Sequence, residues 1–240
     1  MQYIPVKTRI VQPPQDDLYA VLDEYLSDVQ EGDIVAISSK IISICEGNCV
    51  PYDEELKRVM LRQQADLVIE REYWGSPLTI TNSAFIGTAG IDQSNADGYL
   101  VSLPKDSFVS AQGIHSYLKE RFDLTNVGVI VTDSHSTPLR RGAMGTAIGW
   151  WGFAPTIDHV GEADLFGREM KIEVSNIVDG LAAGATVVMG EVAECQPVVV
   201  LRNVPDLRFT DRHTKDDLFV PLEEDTFRIL YEKYLPKNDI

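Results

Sequence analysis

The chain reads as an α+β protein, and two observations point there. Segments with the 3.6-residue period of an amphipathic helix are interspersed with short runs of β-type apolar residues. These do not follow the strict strand–helix alternation of a doubly wound parallel sheet. At 240 residues, 44% of them hydrophobic, the chain is long enough for one large domain or two intimate lobes.

The elements follow in order. A strand-like start ends before Pro13-Pro14. Asp16 and Asp17 offer a helix N-cap, and Leu18, Val21, Leu22, Tyr25, Leu26 and Val29 keep helical spacing behind it. Glu31-Gly32-Asp33 turns into the strand Ile34–Ser38, and residues 53–71 predict a charged amphipathic helix. Strand-like pieces follow at Leu78–Thr81 and Tyr99–Leu103. Pro104 opens a helix to about Phe122, with Val109, Ile114, Leu118 and Phe122 expected inward. After the strand Val127–Val131, Gly145, Gly149 and Gly152 suggest close backbone packing or a turn. A helix of about fourteen residues is expected to end near Ala183-Gly184, with Ile172, Ile177 and Leu181 inside. Pro197–Leu201 reads as a buried strand, and Glu223–Leu235 as a last helix. No repeat, linker or low-complexity stretch interrupts the chain.

The formal net charge of -16 argues against a nucleic-acid partner, whose phosphates this field would repel. No run approaches the roughly 18 apolar residues of a membrane span. The start, Met1-Gln2-Tyr3-Ile4-Pro5, lacks the basic and apolar regions of a secretory signal. Cys45, Cys49 and Cys195 are too few for a disulfide framework, so they are expected to be reduced thiols acting as small buried hydrophobes in a cytoplasmic protein.

Two polar segments stand out from apolar surroundings: Gly90-Ile91-Asp92-Gln93-Ser94-Asn95, and Val131-Thr132-Asp133-Ser134 running on to Pro138-Leu139-Arg140-Arg141-Gly142. An acid just past a strand can point rigidly into a cleft. Two such acids near paired arginines suit Mg²⁺ or Mn²⁺ carrying a phosphate, which suggests an enzyme that consumes a nucleoside triphosphate. Asp92 and Asp133 can equally cap local turns, and Lys40 and Arg140-Arg141 can be solvated surface. The common glycine-rich phosphate loops are absent, as are the His and Cys pairs of a zinc site. His135 follows Ser134 without the Gly-x-Ser-x-Gly elbow of a serine hydrolase.

The same residues, taken in order, resemble the coenzyme F420-0:gamma-glutamyl ligases. That family has a strand running into Ser-Lys, with a second Lys just before x-Glu-Gly. It then has Ala-Gly-Val-Asp-x-Ser-Asn, Asp-Thr-Phe-Gly-Arg-Pro-Trp-Arg-x-Gly, Ala-Ile-Gly, Asp-Leu-Tyr-Gly-Arg and Met-Gly-Gln. This chain reads Ser39-Lys40 through Ile44-Cys45-Glu46-Gly47, then Ala89-Gly90-Ile91-Asp92-Gln93-Ser94-Asn95. Asp133 to Gly142, Ala147-Ile148-Gly149, Asp164-Leu165-Phe166-Gly167-Arg168 and Met189-Gly190-Glu191 continue the order across nearly the whole chain.

The resemblance implies one catalytic domain over residues 1–240, a mixed-sheet α+β unit in an intertwined homodimer. It implies a GTP- and divalent-metal-dependent ligase that adds L-glutamate to a lactyl-phospho-deazaflavin. Asp92, Asp133, Ser134 and Glu191 fall at metal positions, Glu191 replacing a glutamine. Ser39, Lys40, Asn95, Met189, Gly190 and Glu191 fall at nucleotide positions, and Lys40 or Arg141 would steady the transferred phosphoryl group. The chain departs from the family at Ile44, which replaces the second lysine, at Ser136-Thr137, which replaces Gly-Arg, and at Leu139, which replaces tryptophan. The acceptor is therefore expected to be a deazaflavin or another carboxylate such as a folate. A catalytically silent nucleotide-binding homologue is the alternative of a different class. The aromatic segment Gly149-Trp150-Trp151-Gly152-Phe153 suits either this chain's own core or the implied dimer interface.

Overall fold

In the computed structural model, which describes residues 1–72 and 75–235, a five-stranded sheet forms the centre. Its strands are β1 (Gln2–Val6), β2 (Ile34–Ser38), β8 (Gly128–Ser136), β9 (Ala143–Trp151) and β12 (Val198–Arg202), in the order β1-β12-β2-β8-β9. Only the β2–β8 pairing is parallel, with Ile34 opposite Gly128 and Ser38 opposite Thr132. The sheet is thus mixed, as the family resemblance implied. Both faces are covered, so β2 and β12 are continuous apolar runs rather than alternating ones. Val35, Ile37, Val129, Val131 and Val200 face α1 (Leu18–Tyr25), α2 (Ser39–Cys45) and α4 (Ser107–Phe122). Ile34, Ala36, Ile130, Val199 and Leu201 face α5 (Ile177–Met189).

Smaller sheets surround this core. The strands β3 (Cys49–Pro51) and β7 (Tyr99–Val101) pair with each other. A meander of β4 (Leu67–Ile69), β5 (Leu78–Thr81) and β6 (Ala84–Gly87) follows α3 (Glu54–Gln64). The hairpin β10 (Thr156–Asp158) and β11 (Val174–Asn176) carries a long exposed loop.

Local chemistry sets the helix starts. Asp17 accepts the Ala20 N–H, Asp53 the Leu56 N–H, and Asp106 the Phe108 and Val109 N–H groups. Cys45, Cys49 and Cys195 are free, and burial pushes the Cys45 thiol up to about 12. Among the described residues no helix is long and apolar enough to cross a membrane.

Several expectations are corrected. The helix expected over 53–71 stops at Gln64, because Leu67 and Ile69 are recruited as β4 against β5. Val109 is exposed, since the first turn of α4 buries Phe108 instead. The helix expected to end at Ala183-Gly184 runs to Met189 and begins only at Ile177, capped by Asn176. Ile172 lies outside it and is exposed. The glycine stretch forms β9: a side chain at Gly149 would meet the Ser107 backbone at 2.5 Å. The tail is not an α-helix but two short 3-10 turns, Arg228–Leu230 and Glu232–Tyr234. Trp150, Trp151 and Phe153 are buried within this chain, so the expected interface does not rest on these rings.

Candidate functional site

Parallel pairing explains how distant residues meet. β2 ends opposite Thr132 while β8 runs on to Ser136, so Asp133 lies within the strand rather than past its end, and Ser39 at the start of α2 sits beside it, 94 positions earlier. A register shift between Val131 and Thr132 breaks the β8–β9 ladder just before Asp133. Such a bulge re-aims the residues that follow it. Beyond it lies a cleft of about 800 Å³, at the carboxyl ends of these strands.

Two polar pairs face this cleft, and a third pair joins the lining Asp133 to Ser39, which is buried behind the wall and does not line it, contrary to its expected nucleotide role. The Lys40 Nζ donates to Asp92 Oδ2 at 2.6 Å and to Ser94 Oγ at 2.9 Å. Ser39 Oγ donates to Asp133 Oδ1 at 3.3 Å. Ser134 Oγ donates to Glu191 Oε1 at 2.9 Å. Asp92 also accepts the backbone N–H groups of Gln93 and Ser94, so it caps its own turn as well as facing the cleft. The two aspartates titrate on opposite sides of the ordinary carboxylate value. Burial alone would raise the Asp92 carboxyl, but the Lys40 and Ser94 bonds outweigh it and hold the group at about 2. Asp133 has only weak compensation from Ser134 and Ser39, and desolvation pushes it up to about 6.

The other sequence-predicted residues divide. Asn95 lines the cleft but donates its amide to the Val192 carbonyl at 2.7 Å, tying two loops across the opening. Gly190 ends α5 in a left-handed conformation, φ +78°, and a side chain there would meet the Glu194 carboxyl. Met189 is buried and accepts the Thr132 hydroxyl through sulfur. Arg141 does not line the cleft; it sits exposed at the tip of the β8–β9 hairpin. The expected metal group Asp92, Asp133, Ser134 and Glu191 shares the cavity but not a single point: among the described residues, no three acidic, His or Cys groups close on one position. Its donors are all oxygen, which suits a hard divalent cation.

Sequence reading missed other lining groups. Arg9 reaches the rim but is locked to Asp16 by two bonds of 2.6 and 2.8 Å. Asp97, Glu194 and His135 also line the wall, and the His135 Nδ1 is buried without a hydrogen-bond partner. Lone residues from separate loops give no spacing signal. Among these lining side chains, five acids face two lysine or arginine cations, both already paired. A polyanion entering this cleft needs extra positive charge.

Charged groups presented from the ends of adjacent parallel strands into one cleft define an enzyme site. The sequence model described as F420-0:Gamma-glutamyl ligase matches residues 5–203, and the chain belongs to that family. It is accordingly an enzyme of the ligase class. Similar curated proteins include the Coenzyme F420:L-glutamate ligase of Halorubrum lacusprofundi, 34% identical over 89% of this chain and 90% of the relative. That of Methanopyrus kandleri is 33% identical over 85% and 87%. That of Methanocaldococcus jannaschii is 35% identical over 83% and 86%.

Proposed function

We propose that this chain joins L-glutamate to a carboxylate of an F420-type acceptor in the cytoplasm, consuming GTP with Mg²⁺ or Mn²⁺. The observation that carries this reading is the convergence of the Lys40–Asp92 pair, Asp133 and the Ser134–Glu191 pair on one acidic cleft in a chain of this family.

The chemistry follows from the reactants. A carboxylate is a poor electrophile at neutral pH. Transfer of the γ-phosphoryl group of GTP to a carboxylate oxygen of the acceptor gives an acyl phosphate and GDP. The glutamate amine then attacks the acyl carbon, loses a proton, and expels inorganic phosphate to leave the amide. Positioning and charge neutralisation dominate such transfers. A divalent cation, when bound, supplies the neutralising charge that this cleft lacks. In this reading Asp92, Asp133, Ser134 and Glu191 would hold it only after closing on it from the separated positions they occupy here, and Lys40 would pass from Asp92 to a phosphate oxygen. Arg141, standing outside the cleft, is not needed for that step.

The acceptor contacts differ from the family pattern. Ile44 is buried at the cleft wall where the pattern has a lysine. An alkyl side chain cannot replace a cation toward a phosphate or carboxylate. This favours an acceptor that does without a cation at that position, and a folate is the second candidate to try. The test is to incubate the protein with GTP, Mn²⁺, L-glutamate and either F420-0 or folate, and to read product masses and GDP. A mass gain of one glutamyl residue on either acceptor supports the ligase reading. Nucleotide binding with no product and no GDP supports the silent homologue instead.

Lys40→Ala is expected to weaken GTP binding by roughly 1–3 kcal/mol, the scale of a lost charged hydrogen bond. Calorimetry showing unchanged GTP affinity would rule out its phosphate role.

The reading includes a homodimer. Leu139, Leu165 and Phe166, each at least 95% exposed, crown two hairpins, and a partner subunit covering them would take that apolar surface out of water. Light scattering at low micromolar concentration should report twice the 26.7 kDa chain mass. A fully active monomer would refute it.

A further inference from the structure

We infer that Thr79 is a positioning residue for the site: its buried hydroxyl fixes the left-handed turn that delivers Asp92 to the cleft. The inference rests on the proposed role of Asp92 in holding the cation.

The turn is costly. Thr88, Ala89 and Gly90 have φ of +58°, +51° and +74°, three left-handed residues in succession. For residues other than glycine that conformation is strained, and it persists only where the surroundings dictate it. Asp92 follows two residues later. Its backbone is held on the far side, where Asp92 and Val101 exchange N–H···O bonds of 3.0 and 2.8 Å. On the near side the turn closes on itself, with the Ile91 N–H donating to the Thr88 carbonyl and the Thr88 hydroxyl to the Ile91 carbonyl, and Thr79 is what anchors it to β5 and β6.

Thr79 lies in β5 opposite Ile86 of β6 and is fully buried. Its hydroxyl donates to the Ile86 carbonyl and accepts the Ala89 N–H at 2.9 Å. One oxygen therefore ties the strand entering the turn to the middle of the turn. Ala89 is itself buried, so without that oxygen its N–H would lose its partner away from water. The turn would then relax toward ordinary backbone angles, and the Asp92 carboxylate would swing with it. Thr79 touches no cleft-lining charge; its effect on the site passes through the backbone.

Two substitutions separate positioning from simple stability. Thr79→Val keeps the shape and removes the hydroxyl. Thr79→Ser keeps the hydroxyl and removes a buried methyl. Mn²⁺ binding in the presence of GTP would be read by electron paramagnetic resonance of the free ion, well below each protein's unfolding midpoint. Thr79→Val should weaken Mn²⁺ binding about tenfold or more. Thr79→Ser should bind within about threefold of wild type despite a lower midpoint. In an Asp92→Asn background the Thr79→Val effect should vanish, since the route through Asp92 is gone. A folded Thr79→Val protein that binds Mn²⁺ like wild type would overturn the inference. So would a Thr79→Ser protein that loses binding as badly as Thr79→Val, or a Thr79→Val effect undiminished beside Asp92→Asn. Wild-type protein that fails to bind Mn²⁺ with GTP would instead overturn the nucleotide reading on which the inference stands.

Discussion

Asp133→Asn should cut turnover by at least about a hundredfold and yet raise the thermal stability of the ligand-free protein at pH 8. The first effect is the usual scale for removing a group that organises developing charge. The second follows from where the carboxyl titrates. Its folded value of about 6 lies above the ordinary 3.8, so the folded protein binds that proton more tightly than the unfolded chain does. Its stabilising contribution is complete below pH 4 and is lost as pH rises through about 6. At pH 8 the fold holds a desolvated anion, at a cost on the order of 2–3 kcal/mol. Asparagine has the same shape and no charge, so the variant escapes that cost. The stability gain should therefore shrink as the pH is lowered toward 4. Asp92→Asn should lose turnover to a similar degree without a stability gain. Its carboxyl is already neutralised by Lys40 and its side chain is 46% exposed, so the pair contributes little to folding. GDP-release rates and thermal melts at pH 4, 6 and 8 test both. Near-normal turnover in the two variants, or an Asp133→Asn protein that melts below wild type at pH 8, would sink the assignment.

Much of this site is legible in the sequence because strands announce themselves. The run Ile34–Ser38 and the run ending at Val131 are unbroken apolar segments, and each hands over to a polar group at its carboxyl end. Asp92, Asp133 and Lys40 all line the cleft. What the sequence hides is partnership. Glu191 meets Ser134 across 57 positions, and Asn95 meets Val192 across 97, and no local pattern encodes either bond. Misread boundaries share a cause. Gly184 looks like a helix stop, but it sits inside α5 because a side chain there would strike the Tyr3 ring. Leu67 and Ile69 continue a helical-looking segment, yet pairing with β5 outweighs local propensity. The tail has helical spacing as well. Its Tyr231 is instead buried against Leu67, Ile69 and Ile80, with an edge-on contact to Phe85, and short 3-10 turns make that fit.

Trp150→Ala should cost about 3–5 kcal/mol of folding stability, the range for truncating a large buried aromatic. The indole is 1% exposed on the α5 side of the sheet. It meets Phe108 of α4 and Phe219 of the tail edge-on, at centroid distances of 4.8 and 5.2 Å. Such edge-to-face pairs add roughly 0.5–1.5 kcal/mol beyond area burial. Its Nε1 donates to the buried Thr214 Oγ1 at 2.9 Å, so truncation also strips a partner from a tail residue. Trp150→Phe retains much of the ring contact and loses that bond, so it should cost less than half as much. Urea titrations of both variants at several protein concentrations decide between core and interface. A core residue lowers the midpoint at every concentration. An interface residue leaves the folded subunit intact and shifts the dimer–monomer balance. If Trp150→Ala unfolds within about 0.5 kcal/mol of wild type but dissociates at higher concentration, this packing is not what holds the tail to the sheet.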